Sequence, residues 1–498
     1  MVAEEQIDPE TPEEKTRKTE LDLTQMPLQK SVMTLAIPAV LRMSLQTIVG
    51  VAALAIIGRL GTEAAAAVGL GNRLVFFFIG VLMALSIGTT ALVARFTGAK
   101  DPGRAEEAVR QSVILAFFIG IGVALLGYLY AEDAIRIMIF LQDDLDQTVI
   151  AWGGIYLRWL SVSMVLGVFL FIANAALQGA GDMKTPLYLM VVVNVINVFL
   201  AYVLIYGYGP FPQLGITGAA IAGGVSRAIG GAAGLLVLFS GRFAAYMPWY
   251  GPYRFHVPMI RALIFVGVPA AIENLVRQSA QMIYTILIGG LGTVAIAANT
   301  FAMSAQSFSF MPGFGFSVAA TSLVGQNLGA KQPDKAEQAG WESLKWSVYF
   351  MSVMGLIFFF FPRQVLAIYT NDPTVMELAV PCLRVIAISQ PFLASIMVLA
   401  GGLRGAGDTR WVMYITAAGN WGIRLVFSYL LGFSLGWGLT GVWIAMGLDM
   451  ILRGILTLWR FRSGKWKDIE LPTDDQDDPA QGLLGSDSGR DEVAAEAN

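Results

Sequence analysis

Two stretches of the chain, 231 residues apart, carry nearly the same sequence. Residues 98–108 read GAKDPGRAEEA and residues 329–339 read GAKQPDKAEQA, with seven of the eleven positions identical. Further along, LQGAGD at 177–182 returns as LRGAGD at 403–408, at an offset of 226 residues. A chain that repeats its motifs in one order encodes the same structural unit twice. We therefore expect two similar halves that run in the same sense through the fold.

Both halves are strongly apolar, with a mean hydropathy of +0.63, 56% hydrophobic residues and only 14% charged residues. This composition excludes an ordinary soluble enzyme. An apolar run that crosses a hydrocarbon core of about 30 Å as a helix needs about 20 residues. Period-2 alternation is absent, so helices rather than a barrel satisfy the backbone in lipid. The sequence predicts an all-α integral membrane protein with twelve transmembrane helices in two parallel six-helix repeats, and these spans are centred near residues 45, 80, 118, 162, 196, 228, 274, 307, 349, 391, 423 and 449.

Basic residues gather in the connections that follow even-numbered spans, among them Lys100, Lys331 and Arg404. Positive residues favour the cytoplasmic side of a membrane. We expect a multi-pass protein of the plasma membrane with both termini in the cytoplasm.

The composition along the chain also predicts its division into parts. We expect a cytoplasmic N-terminal tail at 1–30, a first lobe at 31–241, an interlobe linker at 242–258, a second lobe at 259–462, and an acidic tail at 463–498. The last tail has too little apolar content to fold and is predicted to be disordered.

Few residues are available for catalysis, metal binding or nucleic-acid binding. His256 is the single histidine and Cys382 the single cysteine, so no His/Cys metal cluster and no intrachain disulfide can form. No basic domain stands out. We expect no enzyme activity, no cofactor and no nucleic-acid partner, and we expect a monomer in the lipid bilayer.

Span 7 carries the polar face with the most ionisable character. Glu273, Asn274, Arg277, Gln278 and Gln281 fall on one side of a helix. Ionisable groups at membrane depth are costly and point to a function. Because a carboxylate can bind a cation or take up a proton, we predict Glu273 as the coupling-cation site, with transient Na+ binding as one form. The alternative is that Glu273 and Arg277 neutralise each other as an i,i+4 pair.

The repeat places Arg42 where the second half has Glu273, and Gln46 where it has Arg277. This Arg42 either repels cationic ligands or tethers an anionic group; the alternative is a snorkelling or paired arginine. Asp182 and Asp408 read as turn or helix-cap residues. Asp449 is expected to pair with Arg424, and the remaining cavity-lining candidates are Asn197, Asn299, Gln306, Asn420 and Asp449.

The order of the doubled motifs resembles the multidrug and toxic-compound extrusion family, over roughly residues 30–465. The motifs are GRLGT at 58–62, GGLGT at 289–293, LVGQNLGAK at 323–331, LQGAGDMKTP at 177–186 and LRGAGDTR at 403–410. The resemblance implies a V-shaped pair of six-helix bundles that works by alternating access. It further implies export of small amphipathic, often cationic compounds in exchange for Na+ or H+.

One departure from the family concerns the first lobe. Ala53 and Ala201 stand where one branch of the family carries aspartates, whereas Asn197 and Glu273 match an amide and an acid of family sites. Coupling would then run through the second lobe. Within the same superfamily the alternative is a flippase of lipid-linked precursors or polysaccharides, which would want a more cationic cavity and is kept open by Arg42 and Arg73. A passive channel fits two rocking repeats less well.

Overall fold

The computed structural model describes residues 26–58, 62–138, 147–208, 210–249 and 254–472. Within these ranges, eleven helices are long and apolar enough to cross a membrane. They are α1 (Leu28–Gly58), α2 (Thr62–Gly98), α3 (Pro102–Leu129), α4 (Gln147–Gly179), α5 (Lys184–Tyr206), α6 (Gly215–Phe239), α7 (Val257–Gly289), α8 (Thr293–Gly329), α9 (Pro333–Phe360), α10 (Pro373–Gly405) and α12 (Gly438–Arg462). Two short helices, Ala131–Met138 and Pro362–Leu366, lie in the connections before α4 and α10.

The remaining predicted span, α11, covers residues 409–434 and changes its winding along its length. It begins as an α-helix at Thr409–Ala417, widens to a π-helix at Ala418–Leu425, returns to α at Val426–Tyr429 and ends as a π-helix at Leu430–Ser434. The prediction of a helix at each apolar run is confirmed. The change in winding was not predicted, and π turns often occur at functional sites.

The repeat seen in the sequence is also present in the backbone. Lys100 and Lys331, which lie two residues after the last residues of α2 and α8, both have a φ of 56°. In each case the backbone amide of the residue after the lysine donates to a carbonyl five residues before it. Asp101 N–H donates to the Phe96 carbonyl at 3.0 Å, and Gln332 N–H donates to the Asn327 carbonyl at 2.8 Å. This left-handed helix ending satisfies carbonyls that the helix leaves free. The two parallel repeats are therefore confirmed at the level of local geometry.

The two lobes meet where the ends of α2 and α8 cross. Gly98 lies against the backbone carbonyl of Gln326, and Gly329 lies against the backbone carbonyl of Arg95. A Cβ atom at either glycine would overlap that carbonyl. Gly98 is the repeat equivalent of Gly329, and Arg95 is the repeat equivalent of Gln326. The two contacts are therefore related by a pseudo-twofold axis, as expected for parallel repeats.

Two clusters of buried apolar side chains form the cores of the lobes, one built mainly from α2–α6 and the other from α8–α12. Helix α7 contributes to both clusters, whereas α1 contributes to the second cluster and also packs along α5 of the first lobe. The start of α1 belongs to the second cluster through Val32, Leu35 and Ala36, and the start of α7 belongs to the first through Met259, Ala262 and Leu263. Both helices thus pass between the lobes, which puts the polar face of α7 at their junction.

Part of the predicted C-terminal tail is packed rather than disordered. Trp466 is fully buried and donates its indole N–H to the carbonyl of Phe461 at 2.7 Å. Lys467 pairs with Glu337 of α9 at 2.7 Å, and Arg95 of α2 donates to the carbonyl of Ile469 at 2.9 Å. The segment 463–472 therefore joins the second lobe to the first. The rest of that tail and residues 1–25 lie outside the described residues.

Candidate functional site

The carboxylate of Glu273 is buried on α7 and is held by two other helices. Its residue is 5% exposed. The Arg404 Nη2 atom donates to both carboxylate oxygens, at 2.7 and 2.9 Å, and the Thr416 hydroxyl lies 3.4 Å from one of them. No direct i,i+4 ion pair joins Glu273 to Arg277 among the described residues, because the Arg277 guanidinium donates to the Asn274 side chain. Glu273 is thus neutralised by α10 and supported by α11.

Arg404 is the partner that sequence reasoning missed. The sequence places Arg404 in the connection after the tenth apolar run, but it lies in the last turn of α10, where its long side chain reaches Glu273. Its repeat mate in the first lobe is the buried amide Gln178. Each lobe carries a long polar side chain at this repeat position, and that shared feature of the sequence could have indicated that Arg404 points into the protein.

A second buried carboxylate, Asp449 on α12, is fully enclosed and is flanked by two arginines. Arg424 Nε donates to it at 3.1 Å, and Arg453 donates twice at 2.6 Å. The predicted pairing of Asp449 with Arg424 is confirmed. Arg453 was missed, although its i,i+4 spacing from Asp449 on α12 was a signal. Gln281 extends the network by accepting from Arg424 at 3.4 Å.

The second lobe therefore gathers four arginines around two carboxylates. Arg277 lies within electrostatic range of Arg404, Arg424 and Arg453, and of Glu273. With Asp449 as the second acid, the described members of this cluster carry a formal net charge of +2. We call these six residues the arginine cluster: Glu273, Arg277, Arg404, Arg424, Asp449 and Arg453.

Three other second-lobe candidates lie on neighbouring helices. Asn299 accepts the indole N–H of Trp443 at 3.1 Å, which gives it a structural partner. Gln306 is buried and its carbonyl oxygen has no partner within the described residues. Asn420, in the first π segment of α11, is buried with neither amide atom hydrogen-bonded in the described part of the chain. Gln278 is exposed on α7.

In the first lobe the candidates do not converge on the arginine cluster. Arg42 is 8% exposed, and no ion pair or hydrogen bond joins it to another described residue. Its burial shows that most of this side chain packs against protein. Gln46 is exposed and Asn197 half-buried. Ala201 is buried on α5, and the side chain of Ala53 lies outside the described residues.

The two aspartates after the Gly-Ala-Gly motifs differ from each other. Asp182 accepts from the backbone amides of Lys184 and Thr185, both at 3.0 Å, as a capping residue does. Asp408 instead is buried and pairs with Arg460 of α12 at 2.7 Å. Asp408 stands at the N-cap position of α11, as predicted, but its side chain makes no capping hydrogen bond because Arg460 engages its carboxylate.

A polytopic helical bundle made of two parallel repeats, with buried charges near the junction of its lobes, is the architecture of a secondary transporter. The sequence profile of the MatE family matches residues 38–203 and 269–430. The chain belongs to this family, the multidrug and toxic-compound extrusion transporters, and is a multi-pass membrane protein.

Among similar proteins is a Thermotoga maritima protein named "Probable multidrug resistance protein NorM". It is 32% identical over 442 residues, which cover 88% of this chain and 93% of that one. Two solved structures share the fold with a TM-score of 0.82 and 23% identity. One is an outward-facing multidrug resistance MATE family transporter, with 90% of this chain and 99% of that chain covered. The other is a MOP superfamily transporter from Pyrococcus furiosus, described as having a binding pocket of reverse polarity, with 91% and 99% covered. The V-shaped arrangement of two bundles follows from this shared fold.

Proposed function

We propose that this protein is a secondary active multidrug exporter of the plasma membrane. It would move small amphipathic compounds, often cationic ones, outward by alternating access in exchange for Na+ or H+. Family membership and the similarity to a NorM protein support export of drugs. The observation that carries the coupling part is a buried carboxylate, Glu273, whose two partners come from different helices.

The geometry suggests how Glu273 would couple an ion to movement. In the structure Arg404 satisfies the carboxylate. A proton or Na+ that reaches Glu273 would compete with the guanidinium for the carboxylate oxygens and weaken the ion pair, because the attraction depends on the negative charge of the carboxylate. The link between α7 and α10 would then loosen, which gives the two states that alternating access requires.

The test is Glu273→Gln, which keeps the size of the side chain but removes the charge that titrates. We expect gradient-driven efflux of a fluorescent dye from proteoliposomes to fall to the level of empty vesicles, with Na+ and H+ gradients imposed separately. Glu273→Asp should keep part of the transport. Wild-type rates in Glu273→Gln would remove this residue from the coupling mechanism.

Arg404 provides the matched control for stability. Removing one partner of a buried ion pair costs about 3–5 kcal/mol, because the other charge is left uncompensated. Arg404→Gln should therefore lower the unfolding midpoint, and Glu273→Gln/Arg404→Gln should recover it while efflux stays absent. If the double variant transports normally, the pair is structural only.

The orientation of the chain is part of the proposal. Arg104 and Lys335 are exposed at repeat-equivalent positions after α2 and α8. In a Cys382→Ala background, single cysteines at these two positions should resist an impermeant maleimide in intact cells and react after permeabilisation. Labelling from outside would reverse the predicted topology.

A second candidate, a flippase for lipid-linked precursors, is favoured by one observation. The arginine cluster carries excess positive charge, and such precursors bear phosphates. Dye efflux that is absent in wild-type vesicles, together with gradient-independent scrambling of a phospholipid-linked probe, would select this candidate over the exporter.

A further inference from the structure

The arginine cluster contains more positive than negative charge, although it lies in membrane-spanning helices. Its two carboxylates are both engaged, Glu273 by Arg404 and Asp449 by Arg424 and Arg453. An excess charge in a low-dielectric region costs several kcal/mol per ion unless a counter-charge is present. The described residues of the cluster supply no third acid.

Arg277 is the arginine in this cluster whose charge is not neutralised by a direct contact. Its hydrogen bond goes to the neutral side chain of Asn274, and no salt bridge joins it to another described residue. It is exposed on the polar face of α7, whereas Arg424 and Arg453 are buried. A ligand that reaches α7 therefore meets the Arg277 guanidinium first, with the positive field of the other arginines behind it.

An exposed aromatic side chain of α11 contacts α7 at the residue before Arg277. The Trp421 indole is 46% exposed and donates its N–H to the carbonyl of Val276, the residue before Arg277. The ring is thereby held against the backbone of α7, one residue before Arg277, and it offers an aromatic face for dispersion contacts.

Asn420, adjacent to Trp421 in the π segment, is an independent sign of a ligand. Its amide nitrogen and oxygen are both buried and both lack a partner within the described residues. Buried polar groups in native proteins are normally hydrogen-bonded, so an unsatisfied pair needs an explanation. A bound molecule that hydrogen-bonds to the Asn420 amide would satisfy it, and an anionic molecule would also fit the positive charge of the arginine cluster.

We propose that the second lobe binds amphipathic compounds with an anionic group, a carboxylate, sulfonate or phosphate, whose head pairs with Arg277 and whose apolar part packs on Trp421. That such compounds are transported rests on the proposed exporter function, and the inference specifies the substrate class of that exporter. The binding itself requires no transport. It differs from the expectation of cationic substrates because the field of the cluster repels cations.

Binding is tested with a pair of probes that differ in charge only at the head, naphthalene-2-sulfonate and 2-naphthyl-trimethylammonium. The full chain in phosphatidylcholine nanodiscs is titrated by calorimetry. We expect the sulfonate to bind and the ammonium to bind at least tenfold more weakly. Arg277→Gln should weaken sulfonate binding about tenfold, the effect of losing one charge-assisted contact of about 1.4 kcal/mol. Arg277→Lys should retain part of it.

Two further variants make the result specific. Arg158→Gln removes an arginine that pairs with Glu132 at 3.0 Å, outside the cluster, and should leave the sulfonate Kd unchanged. Glu273→Gln removes a negative charge, so it should tighten sulfonate binding several-fold while it abolishes coupled efflux. In this one variant sulfonate affinity should rise while coupled efflux falls, so the binding inference and the proposed coupling role of Glu273 can be tested separately.

The anion has two possible sources, a soluble compound or a lipid headgroup, and the same titration in phosphatidylglycerol nanodiscs distinguishes them. If phosphatidylglycerol competes with the sulfonate in the wild type and this competition disappears in Arg277→Gln, the anionic group belongs to a lipid. If phosphatidylglycerol does not compete, the anionic group belongs to a soluble compound. Equal sulfonate Kd values in wild type and Arg277→Gln, with Arg277→Gln folded by circular dichroism, would overturn the site. A preference for the ammonium probe would overturn it as well.

Discussion

Arg42 shows at the residue scale how the repeat and the tertiary structure combine. The repeat predicts that Arg42 and Glu273 occupy equivalent places with opposite charges. The structure adds that Glu273 has Arg404 as its partner, whereas Arg42 is buried and has no ion pair within the described residues. At the position of Arg404 the first lobe carries the neutral Gln178, which cannot offset a guanidinium.

This asymmetry leads to a stability prediction for Arg42→Met. Taking an ion out of water costs several kcal/mol, so replacing an unpaired buried guanidinium with an apolar side chain of similar length should remove part of that cost. We expect a higher unfolding midpoint in detergent, whereas Arg158→Met, which only breaks a half-exposed pair with Glu132, should change it little. A lower midpoint for Arg42→Met would mean that an anion compensates Arg42 in the wild type.

At the scale of elements, the ends of α2 and α8 repeat the same left-handed turn. The residue at the turn is a lysine in both cases, with φ of 56°, where glycine is the usual choice. At the ends of α4 and α10 the corresponding turns do use glycines, Gly181 and Gly407, both with φ of 91°. A lysine in this conformation carries a steric cost of about 1–2 kcal/mol that glycine avoids.

Lys331→Gly should therefore stabilise the protein by about 0.5–1 kcal/mol, once the larger backbone entropy of glycine in the unfolded chain is subtracted. Lys331→Val should destabilise it, because a β-branched residue fits a positive φ worst. Chemical unfolding of both variants against wild type measures the difference. A destabilised glycine variant would show that the lysine side chain contributes more than its conformation costs.

At the scale of the whole molecule, the C-terminal segment 463–472 connects the lobes. Trp466 is buried in the second lobe, Arg95 of the first lobe bonds to the carbonyl of Ile469, and Leu471 packs against the first-lobe core. The hydrogen bond to Glu337 also raises the pKa of Lys467 above its ordinary value, so this lysine keeps its charge. The contacts hold the two lobes together near the crossing of α2 and α8.

We predict that the chain truncated after Pro472 exports like the wild type, whereas truncation after Gly464 strongly lowers stability. Loss of a fully buried tryptophan costs about 3–5 kcal/mol. The melting temperature and the dye efflux of both truncations test this, and Trp466→Ala isolates the largest contact. Full stability after removal of residues 465–498 would show that the segment does not hold the lobes.

The sequence by itself determined the all-helical membrane fold, the number of spans, the doubling of the architecture and the family. These follow from apolar run length and motif spacing, which are local properties that the bilayer enforces on any backbone. It also showed that Glu273 lies within an apolar span and predicted the pairing of Asp449 with Arg424, because a charge in an apolar span is visible without a structure.

Only the tertiary structure decided which charges meet. Arg404 stands at the end of an apolar run, yet its side chain crosses from α10 to Glu273. Asp408, at the N-cap position of α11, pairs with Arg460 of α12. The π winding of α11 and the net positive field of the arginine cluster were equally invisible. Glu273 and Arg404 are 131 positions apart in the sequence. The long side chain of an arginine can reach several carboxylates, so the packing of the helices, and not the sequence spacing, selects the one it binds.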